Sequence, residues 1–290
     1  MTQNLLLVIN PTAGSVNVND VVAQAKFWTA TLHFELEVYN TTGKNDKDEI
    51  ERLLKSKPFK RIITAGGDGT VNMVASVILD TDIILGILAC GSANGLATSL
   101  AIPNQIDQQF ELALTQHFTA VDTLIINDKL CLHIADVGIN AELIYNYEAS
   151  KSSGMLGYAM HVLPTLFQSD YPYKFKLETK DKTIERKGVL LAFANAKKYG
   201  TGATINPKGK INDGLFEVII FKRLSFLEIL KSFIKHLPVR KSSAEIYPTK
   251  AVAVTCKKPI ALQVDGEFIG EFNSFSAHIN SNSLRLALPE

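Results

Sequence analysis

The chain has 290 residues, 46% hydrophobic and 20% charged, with a net charge of +1, a composition typical of a globular protein of one large or two ordinary domains. A charge this close to neutral predicts no nucleic-acid partner, and no apolar run is long enough to predict a transmembrane segment. The three cysteines are widely spaced, and the N-terminus shows no signal-peptide pattern, so we expect a cytoplasmic protein.

Alternating strands and helices are predicted for the first half of the chain. Continuous apolar runs at 5–9, 61–63 and 83–88 are typical of parallel strands buried on both faces, and residues 34–39 alternate as a further strand. Helical patterns cover residues 20–32, 45–55, 71–79 and 96–101. This order predicts a doubly wound parallel sheet, which binds its ligands beyond the carboxyl ends of the strands.

Three loops leave strands at that edge of the predicted sheet, at residues 10–15, 66–70 and 91–95, and all are rich in small or turn residues. In the central loop, three glycines leave backbone N–H groups accessible, and Thr70 is placed to cap the following helix. Such N–H groups and the helix dipole attract anions, so the loops predict a nucleotide phosphate site. A plain tight turn remains the alternative for each loop.

Strands dominate after residue 122, at 121–126, 130–137, 173–179, 183–195, 215–221, 250–256, 260–264, 275–279 and 284–288. Short strands separated by turn signals favour an antiparallel sandwich or barrel-like domain. Helical patterns at 141–167 and 225–238 interrupt them, and the second begins with a capping box at Ser225. Its lysines, Lys231 and Lys235, leave open whether this helix packs in the core or meets a membrane.

A domain boundary is predicted between residues 127 and 128, giving an α/β domain at 1–127 and a β-rich domain at 128–290. Whether the last strand returns to the first domain stays open. Two acidic turns, at 210–215 and 264–267, have ordinary turn explanations when each is considered alone.

Taken together, these motifs resemble the diacylglycerol kinase catalytic family, in particular its bacterial soluble lipid-kinase branch. The central Gly-Gly-Asp-Gly-Thr loop is shared with NAD kinases, and the full ordered set is more specific. The resemblance implies a nucleotide-binding α/β domain of the NAD kinase and diacylglycerol kinase type, followed by a β-sandwich domain for the lipid substrate. It runs through residues 10–14, 66–70, 91–97, Asp122, 137–141, 212–215 and 265–267.

The resemblance also implies an activity, the ATP-dependent phosphorylation of a lipid hydroxyl with Mg²⁺ as cofactor, and a diacylglycerol-like acceptor at a membrane surface. We therefore expect peripheral contact with the membrane. A NAD kinase-like phosphotransferase and a non-catalytic nucleotide- or lipid-binding protein are the alternatives. The sequence leaves open whether the chain forms a homodimer.

Residue roles follow from the same resemblance. Asp68 and Asp122 fall where acids help to hold the catalytic Mg²⁺, and Glu267 falls on the proposed general base. A structural Mg²⁺ site is implied at the carbonyls of Lys210 and Leu215 with the side chain of Asp213, a donor set that suits this ion. Gly95 stands where many relatives carry an acid. The implied nucleotide-binding positions are Asn10, Thr12, Gly66, Gly67, Gly69, Thr70, Gly91, Ser92 and Asn94.

Overall fold

The computed structural model describes residues 3–14, 17–138, 141, 172–195, 198–199, 203–204, 206, 209–222 and 244–289. The chain divides into two units, one formed by Met1–Asp122 with Ser281–Glu290 and the other by Thr123–Asn280. The last residues of the chain thus belong to the first unit, and the boundary falls shortly before the predicted position after residue 127. Among the described residues, no helix has the length and apolar character that crossing a membrane requires.

The first unit is built on a parallel sheet in the order β2-β1-β3-β4. Residues 5–9 of β1 are fully buried because helices cover both faces of the sheet, with α1 packed against α5 and α2 against α3. The predicted doubly wound sheet is therefore confirmed. The elements are β1 (Gln3–Ile9), α1 (Val18–Thr31), β2 (Phe34–Asn40), α2 (Asp46–Ser56), β3 (Phe59–Gly66), α3 (Asp68–Ile78), β4 (Ile84–Ala89), α4 (Gly95–Ser99) and α5 (Ile106–Leu114).

The second unit is a β-sandwich, as predicted, and its strands are largely antiparallel. One run of neighbours has the order β14-β13-β10-β7-β15-β16, while the hairpin β8–β9 pairs with β15. Phe193 lies at the centre of the apolar core, edge-on to Phe275 with 5.9 Å between the ring centroids. The strands are β6 (Lys129–Cys131), β7 (Ile134–Gly138), β8 (Tyr173–Glu178), β9 (Thr183–Gly188), β10 (Leu190–Ala194), β11 (Lys198–Tyr199), β12 (Ala203–Thr204), β13 (Phe216–Phe221), β14 (Ala244–Thr249), β15 (Ala251–Val264) and β16 (Glu267–Leu286).

The chain passes from one unit to the other inside two strands, β5 (Thr119–Ile126) and β16. The end of β16 returns to the first unit, where Arg285 and Leu286 pair with β4 in parallel register. The chain terminus therefore adds a strand to the sheet of the first unit.

Polar and turn residues in the sequence did not predict every strand end correctly. The predicted strands 250–256 and 260–264 form the single strand β15, where the polar interruption appears only as a register shift against β16 between Thr255 and Ile260. The predicted strands 275–279 and 284–288 belong largely to the single strand β16, whereas 183–195 divides at Val189 into β9 and β10. The predicted helix 225–238 and the helix 141–167 beyond Ala141 lie outside the described residues.

Candidate active site

A cavity of about 520 Å³ lies at the carboxyl ends of the parallel strands in the first unit. Its volume falls in the range of small-molecule sites. All three loops that the sequence singled out contribute to its wall. The lining residues are Asn10, Thr12, Ala13, Gly14, Thr41, Thr42, Gly43, Asp46, Gly67, Gly69, Thr70, Met73, Gly91 and Ser92.

Asn10 ties the first of these loops to the second. Its backbone N–H donates to the carbonyl of Ala65 at 2.9 Å, and its Nδ2 donates to Oγ1 of Thr70 at 3.2 Å. Its Oδ1 accepts hydrogen bonds from the backbone N–H and the hydroxyl of Thr12, at 3.0 and 2.9 Å. The side chain of Asn10 therefore fixes the relative position of two loops that line the cavity.

The glycines of these loops are required by close backbone approach. A Cβ on Gly91 would lie 2.4 Å from Cα of Gly67, and a Cβ on Gly14 would lie 2.4 Å from the carbonyl oxygen of Cys90. Gly14 also has a φ of +52°, which side chains disfavour. The loops thus pack backbone against backbone and leave main-chain groups, instead of side chains, to face a ligand.

The N-terminus of α3 opens beside this cavity. The helix begins at Asp68 with Gly67 as its N-cap, so Thr70 lies within the first turn and the prediction that it caps the helix is wrong. Its buried hydroxyl accepts the hydrogen bond from Asn10 instead. Backbone N–H groups of a first helical turn have no intrahelical acceptor, so with the helix dipole they favour a bound anion at Gly67 and Gly69.

The carboxylate of Asp68 spans the gap between α3 and α4. Its Oδ2 accepts the backbone N–H of Gly95 at 2.9 Å, and its Oδ1 accepts that of Leu96 at 3.0 Å. These are unpaired donors of the first turn of α4, whose own N-cap residue, Asn94, makes no capping bond. Asp68 therefore caps a helix other than the one on which it lies.

Two of the predicted nucleotide-binding residues do not line the cavity. Gly66 is the last residue of β3, and Asn94 holds the third loop in shape. Oδ1 of Asn94 accepts the backbone N–H of Gly91 at 2.8 Å, while its Nδ2 donates to the Gly91 carbonyl at 2.7 Å. The seven other predicted residues do line the cavity.

Asp122 lies on β5 at the end of the first unit's first segment and is only 1% exposed. Its Oδ1 accepts the backbone N–H of Asn282 at 2.7 Å, which ties the returning chain terminus to this unit. Asp122 is not among the residues that line the cavity.

Sequence reasoning missed a fourth wall of the cavity, the loop after β2. Asp46 organises it: the carboxylate accepts the backbone N–H groups of Thr42 and Gly43 at 2.8 and 2.7 Å and the hydroxyl of Tyr39 at 2.7 Å. Burial raises the pKa of Asp46, but these hydrogen bonds outweigh it and hold the pKa below its ordinary value. Burial, with Asp46 as hydrogen-bond partner, raises the pKa of Tyr39 to about 12.

A signal for this loop was present in the sequence. Thr41, Thr42 and Gly43 follow a predicted strand just as the other three loops do, and all parallel strands of one sheet end at the same edge.

In the second unit, residues 263–267 form a tight hairpin turn between β15 and β16. Asp265 and Gly266 have φ values of +49° and +93°, as a type I′ turn requires. The Gly266 N–H donates to Oε1 of Gln263 at 2.8 Å. Glu267, the first residue of β16, is exposed and has no hydrogen-bond or ion-pair partner among the described residues.

Asp265 anchors this turn to the segment between β6 and β7. Its carboxylate accepts three consecutive backbone N–H groups, from Leu132 at 2.8 Å, His133 at 2.9 Å and Ile134 at 3.1 Å. Its own N–H donates to the carbonyl of Ile134 at 2.9 Å. The sequence indicated only a turn here. The structure shows that Asp265 fixes the position of the turn that precedes Glu267.

The loop 210–215, predicted to hold a structural Mg²⁺, lies before β13 in the same unit. Oδ1 of Asp213 accepts the backbone N–H of Leu215 at 3.2 Å, and its other carboxylate oxygen has no hydrogen-bond partner among the residues that the structure describes. The buried Glu217 accepts a hydrogen bond from Asn206, and burial, followed by the charge of Asp213, raises the pKa of Glu217. Exposed carboxylate and carbonyl oxygens around added negative charge fit a Mg²⁺ ion that keeps several waters.

Within the described part of the chain, no group of three or more His, Cys, Asp or Glu side chains could hold a metal ion. A Mg²⁺ ion in either unit would therefore need carbonyl, phosphate or water oxygens to complete its shell. This is the usual way in which proteins bind Mg²⁺ with a nucleotide. Like Asp122, Asp68 is not among the residues that line the cavity, and the role of both acids as partial Mg²⁺ ligands stays a prediction.

A parallel α/β unit with glycine loops at its ligand edge, joined to a β-sandwich unit, defines the class of proteins with the diacylglycerol kinase fold. The solved structure of a diacylglycerol kinase from Bacillus anthracis str. Sterne superimposes with a TM-score of 0.75 at 17% identity, covering 99% of this chain and 97% of that chain. At this identity the likeness establishes the fold alone.

Sequence comparison extends the assignment from fold to family. The diacylglycerol kinase catalytic domain matches residues 4–126, and the YegS C-terminal NAD kinase beta sandwich-like domain matches residues 134–287. The chain therefore belongs to the diacylglycerol kinase family, in its YegS-like lipid-kinase branch, and the predicted resemblance is confirmed.

Curated relatives agree with this placement. A protein named "Probable lipid kinase YegS-like" from Chromohalobacter salexigens is 30% identical, over 88% of this chain and 84% of that protein. Another of the same name from Yersinia enterocolitica is 27% identical, over 100% and 98% of the two chains. A "Diacylglycerol kinase" from Bacillus subtilis is 26% identical over 94% of each.

Proposed function

We propose that this protein is an ATP-dependent lipid kinase that transfers the γ-phosphate of ATP to the hydroxyl of a diacylglycerol-like lipid. The cavity at the N-terminus of α3 is the observation that carries this proposal. Its glycine loops expose backbone N–H groups at a helix N-terminus, the arrangement that binds a phosphate chain. Family membership supports lipid phosphorylation as the reaction.

The reaction needs a positioned hydroxyl, a base and stabilisation of charge on the phosphates. The lipid oxygen forms a bond to the γ-phosphorus while the bond to the bridging oxygen breaks, and ADP leaves with that electron pair. Glu267 accepts the hydroxyl proton, since its carboxylate is exposed and has no partner among the described residues.

Mg²⁺ prefers carboxylate oxygens and keeps several of its waters. Asp68 and Asp122 would hold it in part through such waters. When bound, it supplies positive charge to the phosphate oxygens. Asp68 then has a second duty, because its carboxylate also maintains the position of α4 beside the phosphate loops.

Labelled ATP offered with a panel of acceptors tests the proposal. The panel contains diacylglycerol, monoacylglycerol, sphingosine, ceramide and NAD, and lipid chromatography separates the products. We expect label in a lipid product, in diacylglycerol most strongly, and none with the Asp68→Asn variant. Label in NAD would establish the NAD kinase-like alternative. No transfer to any acceptor, with ATP still bound, would leave a nucleotide-binding protein without kinase activity.

A further inference from the structure

The charge of this chain is divided unequally between its units. The first unit contains nine Lys and Arg against 14 Asp and Glu, a net charge of −5. The second contains 21 against 15, a net charge of +6, and the two sum to the +1 of the whole chain. The near-neutral total therefore conceals a basic unit, and such asymmetry is typical of proteins that meet an anionic partner.

Part of this positive charge is arranged in a row across three neighbouring strands. Lys174 on β8 lies directly opposite Lys187 on β9 in the antiparallel register. On β15, Cys256 is the last residue that pairs with β8, opposite Phe175, and Lys257 comes one residue beyond it, next to Lys174 in the continuing chain direction. All three side chains are exposed, on the face opposite the buried Phe175. We call Lys174, Lys187 and Lys257 the lysine row.

The lysine row has no neutralising partner among the described residues, although its neighbours do. Lys176 forms an ion pair with Glu178 at 2.7 Å, and Arg186 forms one with Glu245 at 2.8 Å. Like charges directly opposite one another in a sheet are destabilising. Protection of a sheet edge accounts for a lysine on β9, whose described pairing is with β8 alone. It does not account for Lys174, because β8 pairs with both β9 and β15.

The shape and composition of this face favour one kind of anionic partner. The outward positions of the hairpin, residues 174, 176, 178, 183, 185 and 187, include no aromatic side chain, whereas single-stranded nucleic acids are held by stacking on aromatic rings. Sequence-specific readers place a helix or a two-stranded ribbon in a groove of duplex DNA, whereas the hairpin β8–β9 is part of a wider sheet through its pairing with β15. A row of exposed ammonium groups on the face of a sheet matches the layer of phosphates at a bilayer surface.

We propose that the lysine row is a docking surface for the anionic headgroups of a lipid bilayer. The choice of a bilayer rests on the proposed function, since the acceptor of a lipid kinase resides in one. Docking holds the second unit at the membrane through the strand β15 that leads to the turn bearing Glu267. It needs no apolar insertion and is therefore reversible and sensitive to salt.

The test compares binding of the full chain to phosphatidylcholine vesicles with and without phosphatidylglycerol. The variant exchanges Lys174, Lys187 and Lys257 for Gln. Its control makes the same charge change at Lys26, Lys47 and Lys60, which are exposed in the first unit. We expect the variant to bind anionic vesicles about a hundredfold more weakly than wild type. The control should bind anionic vesicles as tightly as wild type does. Neutral vesicles should bind none of the three proteins.

Equal loss in the variant and its control would overturn the proposal, because net charge alone would then explain binding. So would unchanged binding of the variant, or duplex DNA binding that is tighter than vesicle binding and lost with the lysine row. Thermal unfolding of the variant should match or exceed wild type, since like charges are removed. If the triple variant unfolds early, Lys257→Gln alone should weaken vesicle binding about fivefold, and no weakening would reject docking.

A separate assay distinguishes this proposal from the proposed function. Phosphorylation of a short-chain, dispersed diacylglycerol reports the kinase activity without a bilayer. Lysine-dependent vesicle binding without such activity would reject the proposed kinase function and support the docking surface. Full activity on the dispersed lipid with no lysine-dependent vesicle binding would reject the docking surface and support the kinase function.

Discussion

In each unit an aspartate holds a neighbouring segment through backbone N–H groups. The units differ in whether that same aspartate is also the acid proposed to take part in the reaction. In the first, Asp68 braces α4 by accepting two backbone N–H groups, and the same carboxylate is the one assigned to the metal. In the second, Asp265 braces a turn by accepting three N–H groups, while the acid proposed to act, Glu267, lies two residues further on. Under the proposed function, one aspartate both braces and contacts the metal in the first unit, whereas in the second unit the bracing acid and the proposed base are different residues.

This difference determines what a substitution reports. A change at Asp68 removes an observed brace and, under the proposed function, a Mg²⁺ contact, so its effects on activity and on stability are mixed. A change at Glu267 removes no observed contact within the described residues, so it isolates the chemical step. Matched substitutions in the two units separate the contribution of a brace from that of a chemical group.

Asp68→Asn is expected to reduce ATP-dependent phosphorylation to background at saturating Mg²⁺. The amide keeps one acceptor oxygen for α4, so the free energy of unfolding should fall by only about 1 kcal/mol. Radiometric turnover and chemical denaturation measure the two effects. Asp107→Asn, at an exposed position in the first turn of α5, is the control and should change neither. Turnover near that of wild type would exclude the metal role of Asp68.

Glu267→Gln is expected to lower kcat by about a hundred- to ten-thousandfold, the usual range for loss of a general base. ATP affinity, measured by calorimetry, and the unfolding free energy should stay unchanged, because the side chain holds no observed contact. Glu271→Gln, at an exposed position on the same strand, is the control. A fall in kcat of less than about threefold, against the range expected for a base, would reject the role of Glu267.

Asp265→Ala is expected to lower the free energy of unfolding by about 3 kcal/mol, since three N–H groups lose a charged acceptor. It should also lower kcat about tenfold through displacement of Glu267, with ATP affinity retained. Asp128→Ala controls for strain, because Asp128 also has a left-handed backbone, with φ of +64°, in a hairpin turn. An equal loss of stability in both variants would mean that backbone strain, and not the brace, is responsible.

The smallest effect concerns Asp213, which accepts a single N–H group at 3.2 Å. Asp213→Ala should remove the protection that Mg²⁺ gives against thermal unfolding, expected to be about 1 kcal/mol in wild type. The measurement compares melting with Mg²⁺ and with EDTA in both proteins. Asp181→Ala, at an exposed hairpin position, should retain the protection. Equal Mg²⁺ protection in wild type and Asp213→Ala would show that Asp213 is a turn residue only.

Local sequence information predicted the site unevenly. It identified the three glycine loops because close backbone approach requires glycine, and seven of its nine nucleotide positions do line the cavity. It missed the loop of Thr41, Thr42 and Gly43, whose organiser, Asp46, lies at the start of the next helix. It also assigned Thr70 to a cap, since the pattern of a helix start does not show which residue its first turn includes.

The amino-acid sequence was sufficient to predict the class of each unit and the family. Buried apolar runs, glycine turns and an ordered set of short motifs are local features, and chain neighbours are enough to reveal them. Only the tertiary structure decided which carboxylates serve as braces and where the long strands β15 and β16 continue. Asp265 bonds to Leu132, 133 residues away, and Asp68 bonds to Gly95, 27 residues away. Such hydrogen bonds depend on how distant segments meet, so no pattern near either residue predicts them.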